Sequence, residues 1–336
     1  MSNMQAQKKD AAGPTAVIPS GRSRVPVDRL ITLSALVLLF VIFSITAKNF
    51  FTVRNVLTLM LQTSTITLMG IGVTFAIITG GIDLSIGSVV AFTGTIAVIA
   101  ANAGVPIWAS MGIGLLTGVI CGLTNGLLIT KLKLPPFIAT LGMEMIVRGV
   151  ALTITNANAK PAPDAFGALG NNTIFRSGPR FPGIAYPILI MIAMAFIFHF
   201  VLRWMRVGRY TYAVGSNEEA ARLSGIHVHR VKIIAYVICG FLAALVGIIL
   251  ASRMVTSQPN SGSGYELNAI AAAVIGGTSL MGGIGTVAGT VIGSFIIGIL
   301  TVGLTMAGAN YFMQQIVIGL VVIGAVAVDQ LRSGRK

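Results

Sequence analysis

The stretch Arg203–Lys232, RWMRVGRYTYAVGSNEEAARLSGIHVHRVK, is the longest strongly charged interruption between the apolar segments of this chain. It carries Arg203, Arg206, Arg209, Arg222, Arg230 and Lys232. Nearly everything on either side, the amino-terminal tail excepted, is apolar enough to dissolve in hydrocarbon. Within it, Ser216-Asn217-Glu218-Glu219-Ala220-Ala221-Arg222-Leu223-Ser224-Gly225 reads as a short helix with both ends marked. Ser216, followed three residues later by Glu219, fits a capping box. Glu218 and Glu219 lie in the first turn, where the helix dipole favours negative charge. Gly225 can adopt the left-handed conformation that closes a helix. A short capped helix on a basic loop between apolar spans cannot be buried in lipid, so it faces the cytoplasm and is presented to something there.

The rest of the chain fits that frame. Of 336 residues, 55% are hydrophobic and only 10% charged, against about 25% charged in an ordinary soluble domain. Apolar runs of roughly 20 residues match a ~30 Å hydrocarbon core at a rise of ~1.5 Å per residue. A transmembrane barrel would show alternating segments of about ten residues, whereas these runs are continuous. The sequence therefore predicts an all-α polytopic membrane protein. Its net charge of +14 sits mainly in the tail, a few loops and the carboxyl end, the pattern of membrane orientation rather than of nucleic-acid binding. Cys121 and Cys239 fall inside apolar spans without metal-ligand spacing and read as small buried hydrophobes.

Residues 1–29 read as a disordered basic cytoplasmic tail, and 30–336 as a single transmembrane domain. Ten spans are expected: Leu30–Ala47, Asn55–Thr79, Leu84–Ala101, Ile107–Thr130, Phe137–Thr155, Ile184–Trp204, Ile233–Met254, Asn268–Leu280, Thr286–Met306 and Tyr311–Val328. The polar segment 156–183 becomes a periplasmic connection. Lys131, Lys133, the 203–232 block and Arg332, Arg335 and Lys336 place both termini in the cytoplasm.

An internal repeat is present. Gly81-Ile82-Asp83-Leu84-Ser85 precedes the third span and Gly264-Tyr265-Glu266-Leu267-Asn268 the eighth; Gly114, Gly118 and Gly122 of the fourth recur as Gly285, Gly289 and Gly293 of the ninth. Five spans separate the matching elements, and an odd number reverses direction across the bilayer. The halves, about 30–155 and 184–330, are thus expected to be inverted-topology repeats of five helices. The glycines at four-residue spacing are expected to let helices approach closely.

Enzymatic chemistry finds little support, because no phosphate loop, HExxH or GxSxG motif occurs. Ionisable residues near or within spans are few. Asp83 and Glu266 stand at span ends, where Asp83 reads as a helix-start cap. Glu144 and Arg148, four apart, are placed to pair along one helix face. Polar residues inside spans, among them Gln62, Asn125 and Gln314, are either helix-to-helix hydrogen bonders or part of a pathway. Few charges and scattered amides suit a neutral polyol better than an ion.

Several motifs together resemble the permease subunit of bacterial ribose-type ABC sugar importers. They are Thr79-Gly80-Gly81-Ile82-Asp83-Leu84-Ser85-Ile86-Gly87-Ser88, Pro136-Phe137-Ile138-Ala139-Thr140-Leu141-Gly142, Gly208-Arg209-Tyr210 with Gly215 to Gly225, Gly264-Tyr265-Glu266-Leu267, and Gly276-Gly277-Thr278-Ser279-Leu280-Met281-Gly282-Gly283. The resemblance implies a ten-span inner-membrane permease, paired as a homodimer. It also implies a cytoplasmic ATPase subunit with two nucleotide-binding halves and a periplasmic sugar-binding protein; no cofactor is expected on this chain, ATP and Mg belonging to the ATPase. Glu219-Ala220-Ala221 with Gly225 is similar to the EAA loop that such permeases dock into the ATPase, which implicates Ser216, Glu218, Glu219, Ala220, Ala221, Arg222 and Gly225 in coupling. Gln62, Asp83, Asn125, Glu144, Arg148, Glu266 and Gln314 remain path or gate candidates. The alternative is an ion-coupled secondary transporter of a small polar solute.

Overall fold

The computed structural model describes residues 27–177 and 181–333. Of the tail expected over 1–29, residues 1–26 lie outside the described residues, and the first helix already begins at Val27. The apolar helices are α1 (Val27–Thr46), α2 (Val53–Ile78), α3 (Ile86–Asn102), α4 (Ile107–Lys131) and α5 (Pro136–Thr155) in the first half. After a one-turn α6 (Ala168–Asn171), the second half contains α7 (Tyr186–Trp204), the loop helices α8 (Arg206–Ser216) and α9 (Glu218–Leu223), α10 (Val228–Met254), α11 (Tyr265–Ile275), α12 (Val287–Met306) and α13 (Tyr311–Ser333). Each of the ten segments read as a span is helical. Among the described residues, six helices (α2, α4, α5, α7, α10 and α12) are long and apolar enough to cross a membrane, and the described apolar stretches of the other four are shorter.

The eighth segment departs most from expectation. Its helix starts three residues early, at Tyr265, and stops at Ile275 rather than at Leu280. Gly277, Gly282 and Gly283 then take positive φ, which an L side chain adopts only with strain, so residues 276–286 turn irregularly. The first half has a similar break, where Gly80 at φ +79° follows the end of α2.

α10 is the central post, packing on α2, α3 and α4. The small-residue reading of Gly118 and Gly122 holds, because a methyl on either would run into the α10 backbone at Gly240 or Tyr236. Gly289 and Gly293 are closed off likewise by the backbone of Gly276 and Ala272. Contacts in the two halves run in parallel: α3 packs on α4, α5 and α10, while α11 packs on α12, α13 and α2. Cys121 and Cys239 are free and buried. The outward faces of α4, α5, α7 and α13 carry exposed Leu116, Ile120, Ile146, Phe196 and Leu320, an apolar belt of the kind a hydrocarbon solvent accepts.

The polar connection after α5 folds onto the carboxyl end of α10. Strand β1 (Lys160–Pro161) pairs antiparallel with β4 (Thr256–Ser257), and β2 (Thr173–Ile174) with β3 (Ile184–Ala185). Ser252 Oγ donates to Phe166 O (2.5 Å) and accepts from Gly170 N (2.8 Å).

Candidate functional site

The charged loop folds as two helices joined at one residue. Asn217, extended at φ −160°, ends α8 and caps α9, its Oδ1 accepting from Ala220 N at 2.9 Å. This corrects the capping box: Ser216 is the last residue of α8 and makes no cap bond, and Glu219 is exposed. The side-chain oxygen one residue closer to the helix reaches the orphan N–H first. Glu218 accepts from Lys232 Nζ at 2.6 Å and from Arg222 Nη2 at 3.3 Å. The Lys232 hydrogen bond, with the nearby guanidinium adding to it, holds the Glu218 carboxyl below its usual carboxylate range. Ala221 is buried among Val214, Val228 and Val231, whereas Ala220 is exposed and Leu223 is 85% exposed. Gly225 takes φ +81°, closing the helix as its position predicts.

Through α8 this exposed helix is tied to both interior breaks. Gly215 lies so close to Ile78 and Gly283 that a methyl there would enter their backbone. Gly283 N donates to Ile78 O at 2.9 Å, and Tyr212 hydroxyl donates to Gly285 O at 2.6 Å. Sequence reasoning missed Tyr212 and Gly215 as anchors. Gly215 carries no local signal beyond being a glycine inside a helix, which by itself hints at close backbone approach.

Two acids lie inside the bundle. Asp83 is 1% exposed, and its Oδ1 accepts from Ser85 N (2.9 Å) and Ser85 Oγ (2.6 Å). Asp83 therefore bonds the turn ahead of α3, while the N-cap position itself is Ser85, without a side-chain cap bond. Asn125 donates to Ser85 Oγ at 2.8 Å, joining two candidates that lie 42 residues apart in sequence. Asn125 Oδ1 and the nearby Tyr236 hydroxyl are buried without a hydrogen-bond partner among the described residues. Glu266, 9% exposed, accepts from Gly264 N at 3.1 Å; its Oε2 has no hydrogen-bond partner and lies against Gly87, in the first turn of α3. The amino-terminal ends of α3 and α11 thus meet inside the bundle.

The Glu144–Arg148 pair is a second correction. Among the described residues no ion pair joins them, the two that occur being Arg222–Glu218 and Lys232–Glu218. Arg148 Nη1 instead donates to Pro259 O (2.9 Å) and Ser261 O (2.7 Å), pinning the loop ahead of Glu266. Two backbone acceptors in a fixed loop out-compete one flexible carboxylate on the same helix, because each buried carbonyl otherwise goes unpaired.

Gln62 and Gln314, far apart in sequence, line one cavity of about 270 Å³ with Arg253, Tyr265, Asn268 and Tyr311. Gln314 Nε2 donates to Thr305 Oγ1 (3.1 Å) and Ala309 O (3.0 Å). Arg253, Tyr265 and Tyr311 were not singled out from sequence, since each stands at a helix end where charged and aromatic residues are ordinary interface anchors. The site candidates therefore form three groups: the loop helix, the converging starts of α3 and α11, and this polar cavity.

Residues 55–326 match the family described as branched-chain amino acid transport system / permease component. The chain belongs to this family. It is 41% identical to the ribose import permease protein RbsC of Escherichia coli (strain K12) over 89% of this chain and 92% of that one. It is 37% identical to the D-allose transport system permease protein AlsC of the same strain, over 91% and 93%. To the L-arabinose ABC transporter permease protein AraH of Azospirillum brasilense it is 34% identical, over 100% and 98%. The resemblance read from the motifs is thus to relatives named as sugar permeases.

Proposed function

We propose that this chain is the translocating subunit of an ATP-driven importer that carries a monosaccharide, pentose or hexose, into the cytoplasm. In this reading it sits in a bacterial inner membrane as a homodimer with both termini cytoplasmic. A separate ATPase with two nucleotide-binding halves binds α9, and a periplasmic binding protein delivers the sugar. The relatives' names cover ribose and arabinose, both pentoses, and allose, a hexose. The parallel packing of α3 and α11 in the two halves supports ten spans arranged as inverted repeats, with repeat one about 30–155 and repeat two about 184–330.

The observation that carries the proposal is the attachment of α9. An exposed helix with Glu219, Ala220, Arg222 and Leu223 facing outward is joined through Asn217 to α8, which contacts the carboxyl end of α2 and the 276–286 turn. A partner that moved α9 would act on both breaks of the bundle at once. The path proper runs by the cavity holding Gln62 and Gln314, whose amide and phenol groups hydrogen-bond hydroxyls without demanding charge. Asp83, Asn125, Glu144, Arg148 and Glu266 act as the gate, holding the starts of α3 and α11.

The test is reconstitution with the ATPase and binding protein. Glu219→Lys, which reverses charge on the exposed face, and Gly225→Pro, which cannot adopt φ +81°, should each abolish sugar uptake and sugar-stimulated ATP hydrolysis while membrane insertion stays normal. Unchanged stimulation in both variants would remove the coupling role.

A further inference from the structure

A cavity of about 270 Å³ opens beside the end of α9, lined by Arg206, Tyr210, His227, Arg230, Val231 and Ile234 among others. Its lining contains three basic side chains and no acid. None of those three joins an ion pair among the described residues, both pairs there being made by Glu218. The surroundings are amphipathic. Trp204 is 62% exposed with the Arg203 guanidinium 5.6 Å over its ring, and Met205, Tyr210 and Ile234 are exposed too. Exposed Trp and Tyr beside Arg mark the level where hydrocarbon meets water. Along α10, Ile234 follows Arg230 by four residues, about one helical turn or ~6 Å deeper into the bundle. The cavity thus has a cationic mouth and an apolar floor on the same helix face.

We propose that this cavity holds the phosphate headgroup of an anionic phospholipid from the cytoplasmic leaflet. Arg206, His227 and Arg230 donate to the phosphate oxygens, and the upper acyl carbons lie along Val231 and Ile234. A protein partner would bring its own apolar surface to cover Ile234 and Trp204; a lipid supplies acyl chain there and charge at the mouth in one molecule. Assignment to the cytoplasmic leaflet rests on the orientation proposed above, but the binding test does not, so the two can fail separately.

The test titrates purified permease in neutral detergent with dioleoyl phosphatidylglycerol, with dioleoyl phosphatidylcholine and with inorganic phosphate, reading the thermal unfolding midpoint. The unsubstituted protein should be stabilised saturably by phosphatidylglycerol alone. Arg206→Gln/Arg230→Gln should raise the half-saturating lipid concentration by a factor on the order of 10 to 30, each surface arginine contributing roughly five-fold. Lys133→Gln, in a separate cavity of about 600 Å³ that Lys133 lines with Glu218, Arg222 and Lys232, should leave it unchanged. Should the double variant prove unstable, Arg230→Gln alone should show the single-arginine shift, and Arg230→Lys should restore most of it. Equal lipid response in Arg230→Gln and the unsubstituted protein overturns the proposal, as does equal stabilisation by inorganic phosphate, which would make it a small-anion site. Loss of ATPase assembly with an intact lipid response also overturns it, assigning the cavity to a protein partner.

Discussion

Asp83 and Glu266 stand at the starts of α3 and α11 inside the bundle, whereas Glu218 stands at the start of α9 on an exposed loop. Glu218 takes two cations, Lys232 and Arg222. The interior acids take neutral donors from their own turns, Ser85 for Asp83 and the Gly264 N–H for Glu266. Arg148, which pins the loop ahead of Glu266, goes to backbone carbonyls. The difference is one of solvation: a buried ion pair must offset the dehydration of both partners, while an exposed pair loses little water and gains little. Inside the bundle Asp83 and Glu266 act as hydrogen-bond acceptors that shape turns, and among the described residues charge pairing holds an element in place only at the edge.

The strongest way to break this comparison is to crowd the interior. A side chain at Gly87 would strike the Gly262 carbonyl and the Glu266 carboxyl, and the backbone member of that pair cannot move aside cheaply. Gly87→Leu should cost about 3 kcal/mol or more and yield no monodisperse peak on detergent gel filtration. A folded variant of ordinary stability would show that the two helix starts do not meet.

A finer test concerns the Asp83 side. A methyl on Gly81 would meet the Tyr236 hydroxyl, which has no hydrogen-bond partner. Gly81→Ala should cost about 1–3 kcal/mol, and Tyr236→Phe should return most of it. A thermal-unfolding double-mutant cycle should give a coupling of about 1 kcal/mol or more; simple additivity would separate Tyr236 from the 79–85 turn.

Removing the interior cation should matter next. Arg148→Met leaves two carbonyls, at Pro259 and Ser261, without their donor, at a cost of about 1–3 kcal/mol. Limited proteolysis should then cut the 255–264 loop faster than in the unsubstituted protein. If Glu144→Gln had the same effect, the helix-face pair would be restored as the better description.

At the exposed acid the effect should be smallest. Glu218→Gln should cost less than about 1 kcal/mol. Because the folded carboxyl ionises more readily than the unfolded one, its contribution is present at about pH 5 and above, and it fades as pH falls below about 4. The pH dependence of unfolding over that window should flatten in Glu218→Gln.

Much of this architecture was legible in the residues. All ten apolar runs contain helix, the eighth only as far as Ile275; Gly118 and Gly122 of α4 and Gly289 and Gly293 of α12 pack as their spacing foretold, while Gly285 falls in the turn before α12. Gly225 ends α9 because its position permits a left-handed backbone. The misreadings share a cause. Ser216 looked like a cap because serine followed by Glu219 is a good local pattern, but tertiary contacts at Gly215 and Gly283 prolong α8 through it. Arg148 looked paired with Glu144 because they lie one turn apart, yet its partners are more than a hundred residues away. Local rules rank partners by sequence distance, and a packed bundle ranks them by space. For the same reason Gln62 and Gln314 could be picked out singly but not as walls of a common cavity.

The single residue between α8 and α9 has a mechanical meaning. With Asn217 serving as both the end of one helix and the cap of the next, there is almost no slack in the hinge. The inner rod, α8, bears on Ile78 and Gly283 at Gly215, two residues from that joint, so the two helices meet close to where the inner one is seated. Lengthening that hinge by even a few glycines would disengage the crank while leaving every other part in its seat.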